Sequence, residues 1–534
     1  MKTTVAAAVA ALLATHAADA RQDSPAKDIS LKHLASISTG SVGTTGAEIV
    51  AYDAKTRRAF AINSTDNNLV VLDLANPAAP ILYETISLAA FGAGLNSVDA
   101  HRGLVAVAVE ASPKTNPGRV VFVDAATLEF VGDVGVGALP DMVTFDGDGE
   151  HVLVANEGEP NSYNQADSVN PEGSVSIIDL EQGVANASVR TADFKAFSKA
   201  ALTAKGVRVF GPNATAAQDL EPEYITVKGR TAWVTLQEAN AVAIVDVPTA
   251  TVRDILPLGR KNHAEPGNAL DPSDRDGPGN TASIKIANWP VHGLYQPDAI
   301  AHFNVGRQRY LVTANEGDSR AIGDFFGFGE EIRVGSSSYT LDPKVFPNAA
   351  ALKTNTALAR LTVTNATGDT DGDGDFDRIE AFGARSFSIW TTDGRLVWDS
   401  GDQFERYFAD PANGYDTIFN ASHDDNAPDT RSDNKGPEPE GVAVGKVGGR
   451  TYAFIGLERI GGVMAYDVSN PQAPKFAAYA NTRKLDTYGG DLGAEGVTFV
   501  SEEDSPNGKP LVIVGNEVSR TVSIFQVDRA RSRY

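Results

Sequence analysis

The chain has 534 residues, of which 42% are hydrophobic and 22% are charged, a balance that excludes an intrinsically disordered or collagen-like protein. It carries 46 Lys and Arg residues against 69 Asp and Glu residues, so its net charge is −23, which repels nucleic acid and anionic lipid and attracts divalent cations. It has no cysteine, which excludes disulfide bonds, a thiolate nucleophile and a cysteine-ligated zinc site.

The first 20 residues have the pattern of a secretory signal peptide. Lys2 is followed by the apolar stretch Val5–Leu13 and by the small residues Ala18-Asp19-Ala20, which predict cleavage after Ala20. An N-terminal helix of the fold is the alternative, but the stretch is too short to cross a bilayer. No later run approaches about 18 apolar residues. We therefore expect a periplasmic or secreted protein without a membrane span.

One unit recurs seven times along the rest of the chain. An acidic residue opens an apolar strand, a second apolar strand ends in Glu, and a third strand rich in Val and Ile often ends in Asp. In the second copy the second and third strands are Val105–Glu110 and Val120–Asp124, and a fourth strand follows most copies, as at Ile81–Ile86. Short apolar strands separated by Gly, Asn, Asp and Pro turns are typical of antiparallel β-structure.

Seven four-stranded units predict an all-β fold, a seven-bladed β-propeller, with residues 21–534 in a single domain. The seventh unit supplies three strands, and Leu31–Ser38 is expected to complete it and close the ring. Two stacked β-sandwiches are the alternative, but they give no reason for the same acids to recur. The sequence also predicts a short helix around residues 193–202. Long insertions, mostly loops of the kind that carries function, are expected near residues 184–218, 255–295, 321–383 and 401–437.

The recurring acids are predicted to meet near the axis of the propeller. The first strand of a blade begins on the face where the second strand ends, so the opening acid and the closing Glu of each unit should lie together. Ser97 and Ser64 are the exceptions at these two positions. The predicted central acidic ring contains Glu48, Glu110, Asp141, Glu157, Glu223, Glu238, Asp298, Glu316, Glu440, Glu458, Glu495 and Glu517.

Such a ring requires compensation, because like charges raise one another's pKa values and destabilise the fold. Bound Ca²⁺ or nearby arginines could supply the positive charge. The alternative is that each acid accepts hydrogen bonds from turn N–H groups of the neighbouring blade and has a purely structural role.

The most specific motif is a calcium-loop pattern inside the insertion at 321–383. It has acids at relative positions 1, 3, 5, 7, 9 and 12 and Gly374 at position 6, so alternate oxygen ligands could wrap a hard cation. Strands rather than paired helices are expected beside it, and a solvated acidic loop is the alternative. A weaker second site is expected at Asp271, Asp274 and Asp276. The predicted metal ligands of the main loop are Asp369, Asp371, Asp373, Asp375, Asp377 and Glu380.

The sequence contains no unambiguous nucleophile and no H-E-x-x-H, G-x-S-x-G or P-loop motif. His302 follows Asp298 at strand spacing and could line the same channel, although a lone strand histidine is more often structural. Any catalysis would be metal-assisted attack of water on an anionic ester, with arginines holding the anion. The catalytic residues are unknown, and the candidates are Glu316, Arg320, Glu458, Arg459, Glu517 and Arg520.

Several spaced motifs resemble the choice-of-anchor type I domain family. They are Ala155–Pro160, Tyr295–Ala301, Thr313–Arg320, Phe382–Trp390 and Pro437–Val442. This bacterial family is similar to the mesenchyme-specific cell-surface glycoproteins of animal biomineralisation, and the resemblance covers roughly residues 29–528. It implies a secreted or surface propeller often associated with calcium, whose bacterial members are sometimes labelled alkaline phosphatase. Some members carry a C-terminal sorting tail, but no apolar anchor follows Asp528 here.

These observations together predict an exported, calcium-binding, monomeric β-propeller with an acidic central mouth. It would act as a cell-envelope or extracellular binding module, with divalent cations and an anionic or phosphorylated ligand as candidate partners. The alternative is a calcium-dependent phosphoesterase of the alkaline phosphatase or phytase type, which would use the same mouth to hold metal ions. A purely structural adhesin is a third possibility.

Overall fold

A computed structural model describes residues 28–40, 46–320 and 327–530. The predicted signal peptide, residues 1–20, lies outside the described residues. The described part of the chain is all-β, as the sequence predicts, and consists of strands with a few short helices. None of its helices has both the length and the apolar character that a bilayer crossing requires.

The strands of the first half of the chain are β1 (Ile29–Ser38), β2 (Val50–Asp53), β3 (Arg58–Asn63), β4 (Asn68–Asp73), β5 (Ile81–Ser87), β6 (Gly94–His101), β7 (Leu104–Glu110), β8 (Pro117–Asp124), β9 (Phe130–Ala138), β10 (Pro140–Phe145), β11 (His151–Asn156), β12 (Ser174–Asp179), β13 (Ser188–Asp193), β14 (Pro222–Lys228), β15 (Thr231–Leu236), β16 (Ala241–Asp246) and β17 (Thr251–Pro257).

The strands of the second half are β18 (Arg260–Asn262), β19 (Val291–Leu294), β20 (Ile300–Val305), β21 (Gln308–Asn315), β22 (Glu331–Arg333), β23 (Thr362–Thr364), β24 (Ile379–Ala381), β25 (Ser386–Thr391), β26 (Leu396–Asp399), β27 (Pro439–Val447), β28 (Arg450–Leu457), β29 (Val463–Asp467), β30 (Lys475–Ala480), β31 (Ala494–Val500), β32 (Leu511–Asn516) and β33 (Thr521–Arg529). The helices are α1 (Lys199–Lys205), α2 (Ala216–Asp219), α3 (Ala349–Leu352) and α4 (Gln403–Ala409), with 3₁₀ turns at Val184–Asn186, Pro411–Asn413 and Asp416–Ile418.

Each of the seven predicted units forms one four-stranded antiparallel sheet. We number them sheet 1 (β2–β5), sheet 2 (β6–β9), sheet 3 (β10–β13), sheet 4 (β14–β17), sheet 5 (β20, β21, β25 and β26), sheet 6 (β27–β30) and sheet 7 (β31–β33 and β1). The strand that begins each unit, called the inner strand, lies at one edge of its sheet. Each inner strand contacts the inner strand of the next sheet, and β31 of sheet 7 contacts β2 of sheet 1.

The hydrophobic core follows the same cycle. Separate clusters of buried side chains lie between each sheet and the next, and one cluster joins sheet 7 to sheet 1 through residues such as Ile513 and Leu72. Successive side chains of a strand point to opposite faces of its sheet, so a sheet covered on both faces buries all of them. This explains why Val105–Val109 is apolar at every position and buried throughout. Each large side chain buried in this way contributes roughly 1.5–3 kcal/mol.

The N-terminal strand completes sheet 7, as the sequence predicts. β1 pairs antiparallel with β33, from Ile29 opposite Arg529 to Ser38 opposite Thr521. The backbone N–H of Ala530 also donates to the carbonyl of Asp28 at 2.9 Å. The last sheet is therefore built from both ends of the described chain.

The insertions contain more regular structure than the loops expected from the sequence. β18, β19, β24, β23 and β22 form a five-stranded sheet in that order, with β19 and β24 parallel. Its own core includes Tyr339, Leu341 and Ile379. The strands are only three or four residues long, so their apolar side chains are too scattered to produce a recognisable period.

The insertion at 184–218 contains the short helix expected there, although it begins later than predicted. α1 starts at Lys199 because the Ser198 side chain accepts a hydrogen bond from the N–H of Ala201, and it ends at Lys205, before Gly206, whose φ of 101° favours glycine. Asp193, the first residue of the predicted helix, is instead the last residue of strand β13.

Candidate functional site

The inner strands begin with a local distortion that positions the recurring acids. In sheets 3, 4 and 6 a proline starts the strand, the acid follows it directly, and the register with the second strand shifts at Asp141, Glu223 and Glu440. Proline is tolerated at a strand's first residue because it donates no ladder hydrogen bond. A bulge bends the strand and redirects the side chain of the extra residue. These acids therefore do not follow the regular alternation of side chains between the two faces of the sheet.

The residue before the proline has a left-handed backbone in four sheets. Leu139, Glu221, Gln296 and Glu438 have φ values of 47°, 32°, 39° and 47°. Positive φ is uncommon for residues other than glycine and costs on the order of 1–3 kcal/mol. The same strained backbone conformation therefore recurs in four sheets. In each of them the left-handed residue lies two positions before a predicted ring acid.

The redirected acids line one cavity, which we call the central cavity. Its volume is about 200 Å³, and all seven sheets or the residues that lead into them contribute to its wall. Seven of the twelve predicted ring acids line it, namely Asp141, Glu157, Glu223, Asp298, Glu316, Glu440 and Glu495. The neutral residues of the wall are Ile49, Asn96, Ser97, Met142, Tyr224 and Gln237.

Burial and mutual repulsion raise the pKa values of all seven carboxyl groups. Removal from water is the largest cause and neighbouring carboxylates add to it, so that the pKa of Asp141 and that of Glu316 rise to about 7. The pKa values of the other five lie well above their usual range for the same reasons. One oxygen each of Glu223, Glu440 and Glu495 is buried and accepts no hydrogen bond from the described residues. Glu316 has a positive partner, Lys435 Nζ at 2.5 Å, whereas these three oxygens have no hydrogen-bond donor among the described residues.

Two groups of three acids are close enough to share a cation. Oxygens of Asp298, Glu316 and Glu440 lie within 4.8 Å of one another, and so do oxygens of Glu316, Glu438 and Glu458. Glu316 belongs to both groups. Carboxylate oxygens gathered in this way are the ligands that Ca²⁺ and other hard cations prefer.

Protein cations already neutralise the second group. Lys435 Nζ lies 2.5 Å from Glu316 and 3.2 Å from Glu438, which also accepts from Arg431 at 2.6 Å and from Arg459 at 3.1 Å. Although burial acts to raise the pKa of Glu438, these three cations outweigh it and bring the pKa far below the usual range. Glu438 is therefore a fixed charge that orients its neighbours, whereas burial and neighbouring carboxylates raise the pKa values of Asp298 and Glu440 well above the usual range.

The other five predicted ring acids lie outside the wall of the central cavity. Glu238 lines an adjoining cavity of about 670 Å³, which shares Glu157 and Glu223 with the central one. Ser64 donates a short hydrogen bond to Glu48, and burial raises the pKa of Glu48 to about 7.

Glu110, Glu458 and Glu517 also lie outside the wall of the central cavity. Burial raises the pKa of Glu110 and of Glu517, and Lys114 opposes the effect at Glu110. Glu458 lies 3.2 Å from His423 and 3.0 Å from Arg459. These five acids contribute negative charge near the central cavity without lining its wall.

The three candidate arginines are all occupied by the protein itself. Arg320 is 4% exposed, lies 3.3 Å from Asp219, forms a short ion pair with Glu221 and donates to the carbonyl of Asp219 at 2.8 Å. Arg459 binds Glu438 and Glu458, and Arg520 is 2% exposed. An anionic ester would have to compete with buried carboxylates for these side chains.

His302 bridges two sheets. Its Nδ1 lies 2.7 Å from the hydroxyl of Thr226 on β14. Burial, with help from Arg309 and Lys228, lowers its pKa to about 4, so the ring is neutral at physiological pH. It does not line the central cavity.

The predicted calcium loop brings together part of its expected ligand set. Oxygens of Asp369, Asp371 and Asp377 lie within 4.8 Å of one another. Asp377 is also grouped with Asp375 and with Asp342, a residue far upstream in the chain. Strands β23 and β24 flank the loop, in agreement with the expected absence of paired helices.

Asp373 and Glu380 lie outside these groups. Asp373 accepts the backbone N–H of Asp375 at 3.3 Å. Glu380 is fully buried and lies 2.5 Å from Arg260 and 3.0 Å from Arg378. Burial opposes ionisation, but the two arginines and Thr367 lower the pKa of Glu380. Glu380, the acid at position 12 of the calcium-loop pattern, is thus part of a buried ion-pair network in the five-stranded sheet of the insertions.

Sequence reasoning missed several residues of the site. Lys435, His423 and Gln237 reach the acids from outside the repeated positions, and Gln237 donates to Glu316 at 3.0 Å. Asn96, not Ser97, stands at the register shift of sheet 2. The sequence could have indicated Glu221 and Glu438, because in two units the motif Glu-Pro-Glu places a second acid two residues before the predicted ring acid.

Comparison with known proteins places this architecture in a family. The family model described as the choice-of-anchor I domain matches residues 48–471, which include six of the seven acids of the central cavity. The chain belongs to the choice-of-anchor I domain family. The matched range of this choice-of-anchor I domain begins at the ring acid of sheet 1 and ends beyond β29 in sheet 6.

Two animal proteins are similar to this choice-of-anchor I domain. Gigasin-3a of Magallana gigas is 31% identical over 187 residues, which are 32% of this chain and 64% of the relative. The mesenchyme-specific cell surface glycoprotein of Strongylocentrotus purpuratus is 30% identical over 291 residues, which are 48% of this chain and 36% of the relative. The chain therefore matches less than two thirds of the length of either relative.

Two solved structures are also similar to it. Hydrazine synthase of Kuenenia stuttgartiensis has a TM-score of 0.45 and 12% identity, with 92% of this chain and 98% of that chain covered. A nidogen/laminin complex has a TM-score of 0.26 and 11% identity, with 41% of this chain and 65% of that chain covered.

Proposed function

We propose that the protein is an exported seven-bladed β-propeller that binds Ca²⁺ in its central cavity and acts as a cell-envelope or extracellular binding module. The observation that carries the proposal is the central cavity itself, where seven carboxyl groups line about 200 Å³. Buried carboxylates without partners are costly, and a divalent cation is the ligand that would offset that cost.

The propeller part of the proposal is supported by two cyclic features. The inner strands contact one another in sequence from sheet 1 to sheet 7 and back to sheet 1, and a core cluster joins each successive pair of sheets, including the last and the first. Seven four-stranded sheets packed face to face around one axis would produce both features.

The extracellular part of the proposal is supported by the family and by the N-terminal sequence. One similar protein is named as a cell surface glycoprotein, and residues 1–20 have the pattern of a signal peptide. Extracellular fluid supplies millimolar calcium to sites of modest affinity, such as those of extracellular modules.

The chemistry of the donor set favours Ca²⁺ over transition metals. As the described residues form it, the wall of the central cavity supplies carboxylate, amide and hydroxyl oxygens and contains neither histidine nor cysteine. Zinc prefers nitrogen and sulfur ligands in tetrahedral sites, whereas Ca²⁺ takes six to eight oxygens in flexible geometry. Asp298, Glu316 and Glu440 would form the core of the site, and the loop cluster of Asp369, Asp371 and Asp377 would hold a second, more exposed ion.

Calcium titration of the purified protein tests the proposal. The metal-free protein should bind Ca²⁺ more tightly than Mg²⁺ in isothermal titration calorimetry, because Mg²⁺ dehydrates reluctantly. The double variant Asp298→Asn with Glu440→Gln should weaken the central site at least tenfold. Asp148→Asn is the matched control, since this exposed acid lies in the turn between β10 and β11 of the same domain.

Two outcomes would contradict the proposal. Calcium binding that is the same in the double variant and in the wild type would remove the central cavity from the argument. Hydrolysis of an aryl phosphate that requires Ca²⁺ and is lost in Glu316→Gln would instead favour the phosphoesterase, in spite of the occupied arginines.

A further inference from the structure

Residues that follow the second strands of sheets 2 to 5 line the adjoining cavity, which has a volume of about 670 Å³. Lys114 follows β7, Glu159 follows β11, Glu238 follows β15 and Asp318 follows β21. Cavities of about 300–1,000 Å³ are typical of small-molecule sites, so the adjoining cavity has room for a larger ligand than a metal ion. Its acids are Glu157, Glu159, Glu221, Glu223, Glu238 and Asp318.

A repeated motif supplies acids to both cavities. The sequence Asn-Glu-Gly followed by an acid occurs at the end of β11 and at the end of β21. The first acids, Glu157 and Glu316, line the central cavity, and the second acids, Glu159 and Asp318, line the adjoining cavity. The glycine between them has a left-handed backbone in both copies, with φ values of 72° and 89°, which favours glycine. This turn separates two nearby acids, so that the second reaches the adjoining cavity.

Three acids of the adjoining cavity are buried and incompletely hydrogen-bonded. Glu221 is 1% exposed, Glu223 is 8% exposed and Glu238 is 7% exposed. One carboxylate oxygen of each accepts no hydrogen bond from the described residues. A buried acceptor without a partner destabilises the fold, and more so if it is charged. A ligand that donates hydrogen bonds to these oxygens would offset that destabilisation.

The acids of the adjoining cavity also repel one another. Burial is the largest cause that raises the pKa of Glu238, and Glu221 adds to it. Burial likewise raises the pKa of Glu223, with contributions from Glu238 and Asp298. The pKa of Glu221 rises to about 7 through burial, although Arg320 opposes the effect. A positive charge in the cavity would favour the ionised form of each carboxyl group.

The basic residues of the wall are paired with acids and do not favour an anionic ligand. Lys114 forms a short ion pair with Glu159. Arg320 forms one with Glu221 and lies 3.3 Å from Asp219. Among the described residues the wall contains six acids and two bases, so its field attracts cations.

The spacing of the acids does not fit a single metal ion. Among the described residues, no three acids of the adjoining cavity have oxygens within 4.8 Å of one another, in contrast to Asp298, Glu316 and Glu440. An organic cation with nitrogen atoms spaced along a chain contacts carboxylates that lie further apart. Each ammonium group has three N–H donors and each guanidinium group has five, and their hydrogen bonds to carboxylates are strengthened by the charges.

We infer that the adjoining cavity binds an organic polycation, a molecule with two or more ammonium or guanidinium groups. Glu223 and Glu238 hold one cationic group in the buried part of the cavity, and the exposed Asp318 contacts another nearer to solvent. A free linear polyamine and a basic peptide segment both have this chemistry. The inference goes beyond the proposed function, because none of the three acids assigned to the central calcium ion lines the adjoining cavity.

Isothermal titration calorimetry of the full-length, metal-free protein tests the inference, with spermidine and the tripeptide trilysine as separate probes. At least one of them should bind with one equivalent per chain, and the probe that binds more tightly identifies the source of the polycation. Glu238→Gln should weaken that binding by about tenfold, because it removes a charged acceptor. Asp318→Asn should weaken it by about threefold, since this acid is exposed. Glu181→Gln is the matched control in the exposed turn after β12 and should change nothing.

Lys114→Gln distinguishes a cationic from an anionic ligand. It frees Glu159 from its ion pair and should tighten polycation binding by about threefold. Inorganic phosphate that binds to the wild type and more weakly to Lys114→Gln would overturn the inference. Asp318→Asn keeps the inference testable if Glu238→Gln folds poorly, because it alters an exposed side chain.

Three further outcomes would overturn the inference. They are no binding of either probe, equal binding in the wild type and in both acid variants, and an equal loss in Glu181→Gln, which would indicate non-specific attraction to the negative surface. The central double variant Asp298→Asn with Glu440→Gln should retain polycation binding within about threefold of the wild type. Failure of calcium binding in the wild type would therefore contradict the proposed function and leave this inference intact.

Discussion

Asp141→Asn should have opposite effects on the metal-free and the calcium-loaded protein. Asp141 lines the central cavity, and burial together with Glu48, Glu159 and Glu110 raises its pKa from 3.8 to about 7. At about 1.4 kcal/mol per pH unit, a shift of that size destabilises the metal-free native state at high pH by about 4 kcal/mol. Asparagine has nearly the same shape and carries no charge.

The pH dependence has a definite sign. Below pH 3.8 the carboxyl group is protonated in the native and in the unfolded state, so it causes no pH-dependent loss. Between pH 3.8 and about 7 only the unfolded state releases the proton, and the stability of the native state falls as the pH rises. In EDTA, Asp141→Asn should therefore be about as stable as the wild type near pH 4 and about 2–4 kcal/mol more stable at pH 8.

Denaturant unfolding followed by intrinsic fluorescence checks this prediction at pH 4.5, 6 and 8. In excess Ca²⁺ the order should reverse, because the variant has lost negative charge beside the cation and gains less free energy from binding it. Asp148→Asn serves as the exposed control in the same sheet. A gain in EDTA that is independent of pH, or a variant less stable than the wild type at pH 8, would refute the electrostatic reasoning.

Three further perturbations address other parts of the molecule. Asp371→Asn should reduce the calcium-induced rise in melting temperature and change little in EDTA, because this side chain is exposed; scanning fluorimetry in both buffers measures it. Deletion of residues 28–38 removes β1 and exposes an edge of β33, so light scattering should detect concentration-dependent association. Glu438→Gln leaves Lys435 and two arginines without their shared carboxylate, which should lower the free energy of unfolding by about 3–5 kcal/mol; an unchanged denaturation midpoint would argue against this role.

The repeated pattern of the sequence was sufficient to predict the sheets and the meeting of many acids. Val105–Val109 and the matching strands of other units are apolar without interruption, and both of their faces are buried. The opening acids Asp141, Glu223, Glu440 and Glu495 lie at register shifts of their inner strands, and such bulges redirect side chains out of the alternation of a strand. This is a local relation that recurs in four sheets, so one sequence shows it several times.

Tertiary partners could not be predicted from the sequence. Glu380 has the spacing of a calcium ligand, yet Arg260 from another insertion lies 2.5 Å away and pairs with it. Arg320 has the position of an anion-binding residue, but Asp219 and Glu221, which precede sheet 4, pair with it. In both cases the competing partner is distant in sequence, so the spacing of the motif gives no indication that the two side chains pair.

The pairing of β1 with β33 determines how the molecule would respond to mechanical force. Ile29 lies opposite Arg529, so a load applied through the two ends would act on one terminal pair of hydrogen bonds at a time. Such loading peels strands apart at low force, whereas shear would strain the whole ladder at once. Tension between the two ends of the described chain would therefore detach β1 first, before any of the other six sheets carries the load.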